Sequence, residues 1–248
     1  MITEQSDLRE SLRKLRLPSM AAVYRDEADK AKNSNLTFEE FLGNLVGLEL
    51  VSKQSRAMKQ RLGQARFPII KTLDSFDYNF NPSIPKQKII KLAQGEFVEQ
   101  KGNVIIMGPP GVGKTHLATA IAYACCQRAY KTLFITAADM INNLYASQAD
   151  HSLTRQLKIY TAPHLLVIDE IGYLPFDQKG ADLFFQVVSK RHEKSSIILT
   201  TNRPFKDWGE VFHDRILAGA LIDRLGDHAE IINISGESYR VNKKKKSH

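Results

Sequence analysis

Val104-Ile105-Ile106-Met107-Gly108-Pro109-Pro110-Gly111-Val112-Gly113-Lys114-Thr115 is the stretch that decides the fold. From Gly108 onward it fits the phosphate-binding template G-x-x-x-x-G-K-[ST] at every fixed position, and the apolar run before it reads as a buried strand. Helical periodicity follows in Leu117, Ala118, Ile121, Ala122 and Ala124. Glycines let the backbone wrap closely around a polyphosphate and aim successive N–H groups at it, while the helix adds its positive N-terminal end. Lys114 is placed to reach the β- and γ-phosphates, and the Thr115 hydroxyl to ligate Mg²⁺. Gly108, Pro109, Gly111, Val112, Gly113, Lys114, Thr115 and His116 are the expected nucleotide-binding residues. A glycine turn that merely happens to carry a lysine would not account for the strand and helix on either side.

Working outward, short apolar runs recur at Val104–Met107, Thr132–Ile135, Leu165–Asp169, Ile197–Thr201 and Glu230–Ile234, separated by helical or mixed segments. That alternation predicts an α/β fold with a mostly parallel five-stranded sheet between helices. Ligands in such sheets bind beyond the carboxyl ends of the strands, where Gly108, Asp169 and Asn202 fall. Asp169 would hold Mg²⁺, directly or through water, and Glu170 would orient and polarise the water that attacks the γ-phosphate. The same acids could instead cap the next helix or form a surface ion pair. Asn202 at the end of the next strand would help position that water, although asparagine is also a common turn former.

The first part of the chain reads as helices. Leu8, Leu12 and Leu15 repeat helically, Pro18 suits a helix start, and Thr37-Phe38-Glu39-Glu40 is a capping box ahead of an apolar stripe. Residues 67–85 break the pattern with Pro68, Pro82 and Pro85, and predict a linker between a helical N-terminal domain (1–66) and a nucleotide-binding domain (86–242). The aromatic residues Phe76, Tyr78 and Phe80 in this linker could pack under the nucleotide base or anchor the linker to the following domain, and anchoring is favoured. A basic tail (243–248) ends the chain.

At 248 residues and 43% hydrophobic, the chain can bury a real core. Its formal net charge is +8, which points to a polyanionic partner, most simply nucleic acid. Between Leu50 and Leu73 stand Lys53, Arg56, Lys59, Arg61, Arg66 and Lys71 with no acid among them, and the first three share a helix face. A solvated basic surface is the plain alternative. Cys125 and Cys126 are adjacent and suit core packing in a reducing compartment. No stretch is apolar for long enough to span a bilayer, and residues 1–16 have no signal-type segment, so a cytoplasmic location is expected. Asp139, Asp150, Asp177 and Asp182 are scattered, which predicts no DNA cleavage by the chain itself.

Together these motifs resemble the AAA+ ATPases, and within them the IstB/DnaC branch of insertion-sequence transposition helpers and replicative helicase loaders. Leu15–Met20, Arg61–Phe67 with Lys71–Asp77, Asp169–Tyr173, Thr200–Phe205 and Gly236–Arg240 look like the IstB pattern in particular. The resemblance implies an ATPase that assembles into a homo-oligomer on duplex DNA, with nucleotide sites between subunits, and that recruits and stimulates a cognate transposase. A DnaC-like helicase loader is the alternative. It further implies that Arg224 is the arginine finger inserted into a neighbouring subunit's site, with Arg215 as a competitor, and that Arg240 acts on the phosphates of its own subunit. DNA contacts are expected from Lys53, Arg56 and Lys59, and from Arg155 and Lys158 in the segment that faces the central channel in this branch.

Overall fold

The structure is a computed structural model, and it describes residues 8–173, 175–239 and 241–242. The chain divides into two compact units, Met1–Gln60 and Arg61–His248.

The N-terminal unit is built from α1 (Leu8–Lys14), α2 (Pro18–Asn33) and the long α3 (Phe38–Ala65) as far as Gln60. Pro18 occupies the first turn of α2, where its missing N–H costs nothing. The capping box closes at α3 as its sequence demands: the Thr37 N–H donates to the Glu40 carboxylate at 2.8 Å, and the Glu40 N–H donates to Thr37 Oγ1 at 3.2 Å. A less obvious cap joins α3 to α2. The buried Glu49 carboxylate accepts the N–H groups of Ser19 (2.7 Å) and Met20 (2.9 Å), so one side chain satisfies two of the orphan donors of α2. Arg56 Nη2 completes the arrangement at 2.9 Å from Glu49 Oε1.

The second unit opens at Arg61 with the end of α3; residues 67–85 then form turns without a regular element, followed by α4 (Lys86–Leu92) and α5 (Glu96–Glu99). Five strands follow: β1 (Asn103–Met107), β2 (Thr132–Thr136), β3 (Leu165–Ile171), β4 (Ser196–Thr201) and β5 (Ala229–Asn233). They lie in the order β2-β3-β4-β1-β5, and every pairing is parallel. A sheet of this kind needs cover on both faces. One face carries α4, α5 and α6 (Lys114–Gln127), whose Leu117, Ile121 and Cys125 pack with Ile106, Val167 and Ile198. On the other lie α7 (Ala137–Ala149), α8 (Leu153–Thr161), α9 (Gln178–Arg191), α10 (Trp208–Val211) and α11 (Arg215–Gly226), around Leu166, Ile168 and Leu199. Cys125 and Cys126 are free and buried, and burial pushes the Cys125 thiol up to about 12.

Arg191 holds one end of this core. It is 0% exposed, and its guanidinium donates to the carbonyls of Tyr160 (2.6 Å), Pro163 (3.1 Å), His164 (3.3 Å) and Ser196 (2.6 Å). These bonds tie the end of α9 to the end of α8 and the start of β4. Arg191→Leu is expected to lower unfolding stability by about 3–5 kcal/mol, because four buried carbonyls lose charge-assisted partners. Denaturant melts of the two proteins measure the difference.

Candidate nucleotide-binding site

The phosphate loop lies where parallel-sheet geometry places it, beyond the carboxyl end of β1. The Gly108 N–H still bonds to the Thr201 carbonyl (3.2 Å), so the loop departs directly from the β1 and β4 edge. Gly113, the N-cap of α6, has φ +99°, and a Cβ there would lie 2.8 Å from the Phe76 ring. Only glycine satisfies both conditions without strain or displacement. Lys114 is 5% exposed, and its Nζ donates to the carbonyls of Gly108 and Pro109, both at 2.8 Å. The same ammonium stands 5.8 Å from the centre of the Tyr173 ring.

Asp169 lies behind the loop and is 3% exposed. Its Oδ1 accepts the hydroxyls of Thr115 at 3.0 Å and of Thr200 at a short distance. Burial pushes the Asp169 carboxyl above the usual carboxylate range, opposed by the Thr200 and Thr115 hydrogen bonds and the Lys114 charge. A buried carboxylate beside a threonine hydroxyl is a hard-oxygen donor set that suits Mg²⁺. Glu170, exposed at the strand end, lines a cavity of about 550 Å³ together with Gly113, Lys114, Thr115 and His116. Asn202 is half-buried, and its Oδ1 is a buried acceptor with no hydrogen-bond partner among the described residues. An acceptor left in that state suits a water or a ligand donor, but Asn202 is not among the residues that line the cavity.

Residues 67–85 form one wall of the cavity. Pro68, Ile69, Lys71, Phe76 and Phe80 line it. Phe76 stands edge-on to His116 at 4.9 Å between ring centres, and Phe76 and Tyr78 also pack against the core, so the aromatic residues anchor this segment while one of them faces the loop. His116 Nε2 lies 3.2 Å from the Thr72 carbonyl and 3.3 Å from Ser75 Oγ, and burial lowers its basicity. The chain end closes the other side: the Tyr239 N–H donates to the Gly111 carbonyl at 3.0 Å, and the Tyr239 ring meets Phe80 at 4.9 Å. Arg240 lies outside the described residues, as does the lysine tail.

The remaining candidates fall elsewhere. Arg224 on α11 lies over the Phe185 ring at 4.7 Å and donates to the Ala220 carbonyl of its own helix; among the described residues it has no ion pair. Arg215 is exposed at the first position of α11. Arg155 and Lys158 are exposed on α8, and Lys53, Arg56 and Lys59 are exposed on α3, Arg56 being the one that binds Glu49. Asp139, Asp150 and Asp177 accept local hydrogen bonds, from the Thr136 hydroxyl and from the Ser152 and Gly180 N–H groups. Sequence reasoning missed Thr200, Tyr173 and Tyr239, whose proximity to the loop arises from strand register and from chain segments far apart in sequence. The Thr200-Thr201-Asn202 strand end offered the one local hint.

A sheet in this strand order, with the phosphate loop after β1 and the acidic pair on β3, separated from it by β4, defines a protein of the AAA+ phosphate-loop class. Solved structures share the fold. The crystal structure of DnaI matches with a TM-score of 0.58 at 21% identity, over 69% of this chain and 93% of that one. That of the DnaC helicase loader matches with a TM-score of 0.53 at 22% identity, over 60% and 87%. Within that class the chain belongs to the family of IstB-like ATP binding proteins, whose model covers residues 10–247. It is 41% identical to an insertion sequence IS21 protein of Pseudomonas aeruginosa over 95% of this chain and 89% of that one. It is 40% identical to an insertion sequence IS5376 protein of Geobacillus stearothermophilus, over 96% and 95%. No helix among the described residues is long and apolar enough to cross a membrane.

Proposed function

We propose that this protein is a cytoplasmic, Mg²⁺-dependent ATPase of insertion-sequence transposition, which assembles as a homo-oligomer on duplex target DNA and recruits and stimulates a transposase. The observation that carries the hydrolytic part is the gathering of Lys114, Thr115 and Glu170 at one cavity, with Asp169 hydrogen-bonded to Thr115 behind it. Family membership, the insertion-sequence relatives and the net charge of +8 support the remainder.

In this reading Thr115 and Asp169 hold Mg²⁺, which when bound neutralises charge on the phosphate oxygens. Lys114 gives up its two loop carbonyls for the β- and γ-phosphates. Glu170 orients the attacking water and accepts its proton, and the free Oδ1 of Asn202 helps align that water. Arg224 reaches a neighbouring subunit's γ-phosphate, which makes hydrolysis depend on assembly, and Arg240 contacts the phosphates of its own subunit. The cation–π seat of Arg224 on Phe185 keeps the guanidinium free of carboxylates until a neighbour arrives.

DNA is held through its phosphates by Lys53, Arg56, Lys59, Arg155 and Lys158. About five such contacts give a log–log salt slope near −4.5, and replacing Lys53 and Lys59 by alanine moves it toward about −2.7. The deciding experiment is co-sedimentation with a long duplex and with the matching single strand, in ATP, in ADP and without nucleotide. Large assemblies on duplex in ATP alone are expected. A single-strand preference without large assemblies would identify a helicase-loader type of adaptor instead.

A further inference from the structure

Where the sheet meets the site, two residues of β3 oppose one residue of β4. The register pairs Ile168 with Leu199 and next pairs Ile171 with Thr201, so Asp169 and Glu170 share the single opposite position of Thr200. This is a β-bulge. Its consequence concerns direction: strict alternation would send Asp169 and Glu170 to opposite faces of the sheet, yet Asp169 bonds Thr115 of α6 and Glu170 lines the cavity with that same threonine. Glu170 adopts φ +66°, a left-handed conformation that is unfavourable for a residue with a Cβ. Such a conformation persists only where the surroundings hold it.

The Thr200 hydroxyl is placed to do so. It accepts the Glu170 N–H at 3.0 Å and donates its own proton to Asp169 Oδ1. Thr200 is fully buried within β4, where a valine would match its shape and strand preference, so packing does not explain the hydroxyl. Without it, the Glu170 N–H at the bulge loses its partner and the strained backbone its restraint.

We infer that Thr200 is a positioning residue for water activation, whose hydroxyl pins the Glu170 backbone in its left-handed conformation and so sets the carboxylate at the mouth of the phosphate loop. The inference rests on the hydrolytic reading above. Its test uses the full chain with Thr200→Val, Thr200→Ser and, as a second hydroxyl-free variant, Thr200→Ala, each also combined with Glu170→Gln. Three readouts are taken: affinity for a fluorescent ATP analogue with Mg²⁺, the rate of phosphate release, and amide exchange at Glu170 without nucleotide.

Expected are an affinity within about threefold of wild type, turnover lowered about 10- to 100-fold in the valine and alanine variants, restoration by serine, and faster exchange of the Glu170 amide. In the Glu170→Gln background, loss of the hydroxyl should change turnover no further, because both substitutions disable one water-activating unit. Full turnover in a folded hydroxyl-free variant, a loss that persists undiminished in the Glu170→Gln background, or a parallel collapse of nucleotide affinity would each overturn the assignment. A wild type that binds nucleotide but releases no phosphate would remove the hydrolytic reading itself, and this inference with it.

Discussion

Lys114→Ala is expected to weaken ATP binding by about a thousandfold, which in practice abolishes it. A lysine bonded to two phosphate oxygens contributes charge-assisted hydrogen bonds of roughly 1.5–3 kcal/mol each, and every 1.4 kcal/mol is a factor of ten in affinity. The side chain is almost wholly buried and already points along the loop, held by the Gly108 and Pro109 carbonyls, so little ordering offsets the gain when phosphate replaces them. The fold itself should survive, since the freed carbonyls belong to a half-buried Gly108 and an exposed Pro109. Equilibrium titration with a fluorescent ATP analogue measures the loss, and an unchanged thermal melt without nucleotide separates it from unfolding. If binding remains within about tenfold of wild type, Lys114 is not the phosphate ligand. Loss of binding should also remove ATP-dependent assembly on duplex DNA.

Glu170→Gln should leave ATP binding nearly intact while lowering hydrolysis by about a thousandfold. The change keeps the size of the side chain and removes the base, and a positioned base contributes roughly 10²–10⁴. Glu170 is exposed at the strand end, in contrast to buried Asp169, so the neutral amide causes no packing loss. Under the proposed cycle this variant stays assembled on DNA in ATP, because the step that dismantles the complex is blocked. Phosphate release under single-turnover conditions and the persistence of sedimenting complexes measure the two halves separately. Equal DNA binding by wild type, Lys114→Ala and Glu170→Gln, with and without ATP, would break the link between nucleotide and assembly.

Much of this was legible in the amino-acid order, for a local reason. The phosphate loop is a contiguous backbone device, so Gly113 and Lys114 announce it without reference to the rest of the chain. The inner strands were also recognisable, because a parallel strand buried on both faces must be apolar nearly throughout, as Leu165–Ile168 and Ile197–Leu199 are, whereas edge strand β5 is mostly exposed. Thr37 and Glu40 signalled the start of α3 because a capping box closes within a single turn.

What the order of residues could not reveal depends on contacts distant along the chain. Nothing near Glu49 marks it as the cap of α2, since its partners Ser19 and Met20 belong to another helix. Arg56 lies two turns from Glu49 on the same helix, so their pairing was open to helical spacing; the link from Glu49 to α2 was not. The closing of the cavity by Phe76 and Tyr239 comes from segments on either side of the sheet-forming region. The clearest case is Thr200. By itself the sequence determined that Asp169 and Glu170 end a strand beside a phosphate loop. Only the tertiary structure decided that both turn toward Thr115, Asp169 by a hydrogen bond and Glu170 across the cavity they line together, because a β-bulge arises from the register between β3 and β4, and register is set by which strands pair.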